Sequence, residues 1–181
     1  MTGISLLLFA VFLALYLISG MGAFLSLCIT FGVFSYHFVM RLAVGSAVNG
    51  MLHNHIDHTK WWFRSRPFEK RLYRALRVRK WRKHVPTYAP EVFSLEHHSL
   101  EEIIGATCQA EVVHEIIILL SPAPILLAIP FGVPGVFVAT SVLAALLDAV
   151  FVILQRYNRP MLVKVSERIE KSKDRINAKE T

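Results

Sequence analysis

The sequence predicts an all-α integral membrane protein. About four transmembrane helices form two hairpins, with a cytoplasmic amphipathic segment between the hairpins and a helix at the C-terminus. Three observations carry this prediction. Hydrophobic residues make up 54% of the 181 residues and mean hydropathy is +0.47, values that suit a small membrane protein rather than a soluble domain. Two long apolar stretches bracket a polar middle. The charge is segregated: of the 20 Lys and Arg, twelve lie in Arg41–Lys83 and eight in Arg156–Lys179, with no charged residue before Arg41.

The chain reads as a single membrane domain over 1–181. A first hydrophobic hairpin covers 4–40, a basic cytoplasmic segment 41–111, a second hydrophobic hairpin 112–154 and a basic tail 155–181. Ile4 to Met40 is too long for one crossing and suits two short ones, Ile4–Ile18 and Ala23–Met40. Ser19-Gly20-Met21-Gly22 is the natural break, because glycine eases a tight connection. No cleaved signal peptide is expected, since the start has no basic residue and its apolar stretch is too long.

The basic segment opens its polar part with His53-Asn54-His55-Ile56-Asp57-His58, and Trp61-Trp62-Phe63 forms an interfacial aromatic cluster. Phe68, Leu72, Ala75 and Leu76 then recur at helical spacing, with Arg71, Arg74, Arg77 and Arg79 over much of the rest. Such a basic amphipathic helix lies on anionic lipid. It continues through Val78-Arg79-Lys80-Trp81-Arg82-Lys83 and stops before Pro86. Nucleic acid also binds basic patches, but flanking membrane spans make lipid the expected partner. Residues 85–98 read as a loop punctuated by Pro86 and Pro90. Ser99 followed by Glu102 is a capping box, so a helix starts at Leu100 and runs into the third hydrophobic segment.

The second hairpin is Val112–Phe131 and Gly135–Leu154. Pro122 and Pro124 kink or break the first of these, which leaves a full span and a partly re-entrant segment both open. Gly135–Leu154 has about the 20 residues that a crossing needs. The positive-inside rule places both basic segments and both termini in the cytoplasm, so the expected location is the cell membrane, multi-pass. Cys28 and Cys108 give no disulfide framework. From Pro160 the tail reads as a helix, exposed or lying on the surface. Leu162, Val165, Ile169 and Ile176 follow its apolar spacing.

Several residues carry candidate chemistry. Thr107, Glu111 and His114 sit at offsets 0, 4 and 7 and share a stripe about 60° wide on a helix. Glu111 and His114 are one turn apart, and a carboxylate that orients an imidazole is what a general base needs. The plainer alternative is an interfacial Glu–His pair. Asp148, inside the last apolar run, is costly at that depth, about 3 kcal/mol. It is expected to face the bundle interior, either protonated or hydrogen-bonded to another span. Gln155-Arg156-Tyr157-Asn158-Arg159-Pro160 follows directly. Arg156 and Arg159 share a helix face, and paired guanidinium forks suit phosphate or carboxylate; membrane anchoring is the alternative. The histidines, with His55-x-x-His58 and His97-His98, raise a metal site, but they fall short of a full set of histidine boxes, and a solvated loop is the default.

Three of these motifs resemble the glycosyl-4,4′-diaponeurosporenoate acyltransferase family, small bacterial membrane proteins whose named member performs the last step of staphyloxanthin synthesis. Phe68-Glu69 with Tyr73, leading to Val78-Arg79-Lys80-Trp81-Arg82, is similar to the family's phenylalanine–glutamate start and VRKWK element. Thr107 with Ala110-Glu111-Val112-Val113-His114 resembles its threonine and alanine–glutamate–x–x–histidine element. Gln155–Pro160 matches its QRYNRP. The resemblance runs from about Phe68 to Pro160. Ala106, Asp148 and Val150 stand where the family carries an acidic residue, an asparagine and a proline.

The resemblance implies transfer of a fatty acyl group to a sugar hydroxyl of a glycosylated lipid, such as a glycosylated carotenoid. His114 is then the expected general base and Glu111 its orienting group. Arg156 and Arg159 are expected to hold the anionic part of the donor or the oxyanion, with Asn158 and Tyr157 as hydrogen-bond donors. Gln155, Thr107 and Asp148 complete the expected substrate contacts. Arg79 and Lys80, with Trp81 and Arg82, are expected to recruit the donor. No cofactor and no metal are expected: acyl-CoA or a phospholipid is the co-substrate, and membrane lipids and a lipid-linked sugar are the partners. A metal-dependent membrane oxidoreductase and a non-catalytic partner in a lipid pathway are the competing functions.

Overall fold

A computed structural model of the chain describes residues 1–54, 56–85, 94–132 and 134–180, with Lys179 and Glu180 described by backbone alone. His55 of the histidine cluster, and Pro86 and Pro90 of the expected loop, lie outside the described residues. The described residues are helical: α1 is Thr2–Ser19, α2 Gly22–Leu52, α3 Pro67–Ala75, α4 Val78–Trp81, α5 Leu100–Leu120, α6 Ala128–Phe131 and α7 Pro134–Glu180. Four stretches, Thr2–Ser19, Gly22–Leu52, Leu100–Phe131 and Pro134–Ala178, are long and apolar enough to cross a membrane. They form two compact units. One takes Met1–Ala47 and Val113–Ala149, the other Val48–Val112 and Val150–Thr181.

The first unit buries polar side chains beside apolar ones such as Val33, Ile117 and Phe137. Its buried side chains include Ser5, Ser35, His37, Ser121, Ser141 and Asp148. Leu7, Leu17, Leu143, Leu146 and Leu147 are exposed. Hydrocarbon is as apolar as leucine, so in lipid the polar groups gather inside and leucine faces out. The break between α1 and α2 falls at Gly20, where φ is 65°. This is the glycine that the sequence places there. Phe12 of α1 stacks on Phe31 of α2 at 5.4 Å, and the Tyr36 hydroxyl donates to the Leu120 carbonyl at 2.9 Å. That bond satisfies one of the carbonyls left open at the end of α5. The α-geometry stops at Leu120 and gives way to a 3₁₀ turn, Ala123–Leu127, before α6. Pro122 and Pro124 remove backbone donors there.

Helix boundaries depart from the sequence pattern in three places. α2 runs to Leu52, twelve residues beyond Met40, so Arg41 lies within the helix rather than after it. The basic amphipathic helix is broken. α3 ends at Ala75, Arg77 takes a left-handed φ of 51°, and α4 starts at Val78. The turn seats Val78 at 0% exposure and leaves Phe68, Leu72 and Leu76 exposed, the stripe expected against lipid. Finally, α7 continues through Pro160 as a single helix of 47 residues. Proline inside a helix removes one hydrogen bond and costs about 3 kcal/mol. Side-chain bonds from Arg156 and Arg159 on the preceding turn hold the helix where that bond is missing.

In the second unit, α2 ends where His53 and Asn54 both adopt positive φ, 45° and 60°. Gln109 of α5 fixes this turn: its Oε1 accepts from the Asn54 N–H at 2.8 Å, and its Nε2 donates to Asn49 Oδ1 at 3.1 Å. Gly105 allows the approach, since a Cβ there would lie 2.2 Å from the Asn54 carbonyl oxygen. α5 starts on the reciprocal cap that Ser99 and Glu102 predict. Ser99 N–H donates to Glu102 Oε2 at 2.7 Å, and Glu102 N–H to Ser99 Oγ at 3.2 Å.

Candidate functional site

Two polar clusters stand out, one in each unit. In the second unit, α5 contributes Thr107 and Glu111, α3 contributes Glu69, and α7 contributes Arg156 and Arg159. Glu111 is 0% exposed, Glu69 4% and Arg159 3%, so these three buried charges, with the half-buried Arg156, have to neutralise one another. They alternate: Glu69 pairs with Arg156 at 2.7 Å, Arg156 with one Glu111 oxygen and Arg159 with the other. All five N–H groups of Arg156 find acceptors. These are Glu69, Glu111 and the carbonyls of Trp62 and Arg64. Arg159 donates to Thr107 Oγ1 at 3.2 Å, to the Thr107 carbonyl at 3.3 Å, to the Phe63 carbonyl at 3.2 Å and to Glu111. Its guanidinium also lies over the Phe63 ring, 5.0 Å from the centroid.

Arg156 and Arg159, expected to hold a donor anion, join α7 to α3, to α5 and to the aromatic turn. Glu111, expected to orient His114, supplies the carboxylate that both arginines need.

The neighbours extend the same cluster. Tyr73 donates its hydroxyl to Glu69 at 3.0 Å. Burial, and then this bond to a carboxylate, push its ionisation well above the ordinary tyrosine range. Tyr157 packs edge-on against Tyr73 at 5.2 Å and lies under the Arg82 guanidinium. Asn158 Oδ1 accepts from Arg82 at 2.9 Å. Trp81 donates its indole N–H to the Leu76 carbonyl at 2.9 Å, which ties α4 back across the left-handed turn. Gln155 is half-buried. Arg79 and Lys80 line a cavity of 570 Å³ together with Lys70, Tyr73, Arg74, Arg77 and Tyr157.

In the first unit the centre is Asp148, 1% exposed. Its Oδ1 lies 2.8 Å from His114 Nδ1, and its Oδ2 pairs with Arg41. Arg41 also reaches the Ala144 and His37 carbonyls at 3.5 Å. The group at the ring nitrogen of His114 is therefore Asp148, a partner 34 residues away on another helix. Arg41 was missed in the sequence because it heads the basic segment and reads as the first cytoplasmic charge. The continuous apolar run from Ala23 to Ala47, broken by that one cation, is the signal that could have found it. His37, one turn earlier, is 5% exposed, and neither of its ring nitrogens has a hydrogen-bond partner among the described residues.

Among the described residues no group of three His, Cys, Asp or Glu side chains is placed to hold a metal ion. Cys28 and Cys108 are free and buried.

The family model for glycosyl-4,4′-diaponeurosporenoate acyltransferase matches residues 59–168. The chain belongs to this family. Comparison with curated proteins and with solved structures gives no match. The protein is thus an acyltransferase, which favours acyl transfer over a metal-dependent oxidoreductase or a non-catalytic partner. The matched stretch contains the whole Glu69–Arg156–Glu111–Arg159 cluster, His114 and Asp148. It does not reach Arg41 and His37.

Proposed function

We propose that this acyltransferase moves a fatty acyl group from acyl-CoA or a phospholipid to a sugar hydroxyl of a glycosylated lipid, with a glycosylated carotenoid as the first acceptor to try. It works as a multi-pass protein of the cell membrane with both termini in the cytoplasm. The positive-inside distribution of Lys and Arg supports that orientation.

The observation that supports the chemistry is the 2.8 Å approach of His114 Nδ1 to Asp148 Oδ1, with Arg41 on the other carboxylate oxygen. A carboxylate at Nδ1 fixes the ring and its tautomer and stabilises the imidazolium that forms on proton uptake. His114 Nε2 then accepts the proton of the sugar hydroxyl as its oxygen attacks the donor carbonyl carbon. When the tetrahedral intermediate collapses, the bond to the leaving group breaks and the imidazolium returns its proton to that group. Asp148 is a positioning residue, and Arg41 holds it. The arginine cluster of the second unit sets the structure on which α5 and α7 depend.

The test is mass spectrometry of glycolipids from cells expressing the chain and supplied with a glycosylated carotenoid. New acyl esters are expected from the unmutated protein. His114→Ala should lower them by about 10²–10⁴, the usual contribution of a general base, and Asp148→Ala, which removes the acceptor at Nδ1, should fall in the same direction. Equal ester formation by His114→Ala would remove the proposed base. No esters from an unmutated protein present in the membrane would remove the acceptor.

A further inference from the structure

We propose that the cavity between α3, α4 and the Tyr157 turn of α7 binds the phosphate-bearing head of the acyl donor. This rests on the acyl-transfer reading, but it concerns a different place in the molecule. The cavity lies wholly within the second unit.

Lys70, Arg74, Arg77, Arg79 and Lys80 line it, together with Tyr73 and Tyr157, and no Asp or Glu is among the lining residues. It is an open hollow of 570 Å³ whose wall is mostly apolar. The rest of the unit shows what this chain does with arginines that serve the fold: Arg159 is buried, Arg156 is half-buried, and both are matched to carboxylates. None of the five cavity cations forms an ion pair among the described residues. Glu69, the nearest acid on α3, is already bonded to Arg156 and Tyr73.

Such cations repel one another unless an anion sits among them, so their convergence has to come from the backbone. On a continuous helix from Pro67 to Trp81, Lys70, Arg74, Arg77 and Lys80 would already share one face, with Arg79 on the opposite side. The left-handed φ of 51° at Arg77 turns the chain and brings residues on both sides of the break to one hollow. A non-glycine residue in that region is uncommon and strained, a feature found where surrounding structure enforces it. The buried Val78 and the Trp81 bond to Leu76 enforce it here.

The chemistry selected is a phosphate ester. Guanidinium groups bind phosphate oxygens through charge-assisted, paired hydrogen bonds, and the two tyrosine rings offer flat surfaces beside them. Acyl-CoA and a phospholipid headgroup both present this chemistry.

The experiment uses the full chain in phosphatidylcholine nanodiscs and measures CoA binding directly, without turnover. Arg74→Gln/Lys80→Gln removes two cations. Arg77→Gly removes one while keeping the left-handed turn, and Arg77→Lys keeps the charge. Lys171→Gln on the exposed tail is the control for net charge. A nucleotide donor predicts CoA binding that weakens about tenfold or more in the double variant, weakens in Arg77→Gly, and is retained in Arg77→Lys and Lys171→Gln. A phospholipid donor predicts no CoA binding. Instead, phosphatidylglycerol added to the discs protects the cavity lysines from an amine-reactive label, and this protection is lost in the double variant. If the double variant behaves as wild type in both arms, or Lys171→Gln loses as much, the cavity is not the site. Cavity-dependent binding with no ester product in cells would keep this site and reject the proposed acceptor. Ester formation with unaltered binding in the variants would do the reverse.

Discussion

Replacing Glu111 by Gln isolates the buried charge network. The network holds two carboxylates and two guanidinium groups in the order Glu69–Arg156–Glu111–Arg159, so it is neutral as a whole. Glu111→Gln keeps the side-chain shape and removes one charge. Arg156 retains Glu69, but Arg159, at 3% exposure, loses its only carboxylate. Stranding one member of a buried pair costs about 3–5 kcal/mol. For a chain of this size that corresponds to a fall in Tm of roughly 6–20 °C. Removing Arg159 as well leaves Glu69–Arg156 as a neutral pair. Glu111→Gln/Arg159→Gln should therefore recover part of the loss, with a coupling of about 0.5–3 kcal/mol between the two sites. Thermal unfolding in nanodiscs, followed by tryptophan fluorescence, is a suitable assay, because Trp61, Trp62 and Trp81 all lie in the same unit as the network. Acyl transfer measured well below each variant's Tm completes it. A Glu111→Gln protein with unchanged Tm and ester formation down by two orders of magnitude would refute the structural role. It would return Glu111 to the proton-transfer machinery. Strict additivity in the double variant would show that the pair is not coupled as drawn.

Other perturbations address the scaffold. Gly105→Ala places a Cβ 2.2 Å from the Asn54 backbone oxygen, so something must shift. A loss of about 1–3 kcal/mol is expected, read as a lower Tm and faster proteolysis near the end of α2. Ser99→Ala removes one half of the α5 cap and should cost about 1 kcal/mol; an unchanged Tm would mean that Glu102 alone holds that end. Truncation after Ile176 removes Asn177 and Ala178, both exposed, with the last three residues, and mass spectrometry of the products should show undiminished ester formation. Complete loss would give the tail a role that its exposure does not suggest.

Local signals were legible wherever the chain's immediate chemistry decides the outcome. Four apolar stretches, the glycine break at Gly20, the proline interruption after Leu120 and the Ser99–Glu102 cap all follow from hydropathy, φ freedom and short-range hydrogen bonding. The matched family motifs likewise brought Glu111, His114, Arg156 and Arg159 to attention before any fold was known. Their partners were not legible. Glu111 and His114 look coupled because they are one helical turn apart, yet Glu111 accepts from arginines 45 and 48 residues away, and His114 meets a carboxylate 34 residues away. A buried charge is governed by what neutralises it in space, and periodicity along one helix carries no information about the face of another. The same limit hid Arg41, whose partner Asp148 is 107 residues distant. It also hid the turn at Arg77, which brings Arg79 to the hollow beside Lys70, Arg74, Arg77 and Lys80, the four that helical spacing already places on one face. Composition and pattern settle that this chain is helical and apolar enough for a membrane, because those are sums over residues. Which arginines hold the fold and which are left to meet an anion depends on packing between segments far apart in the chain.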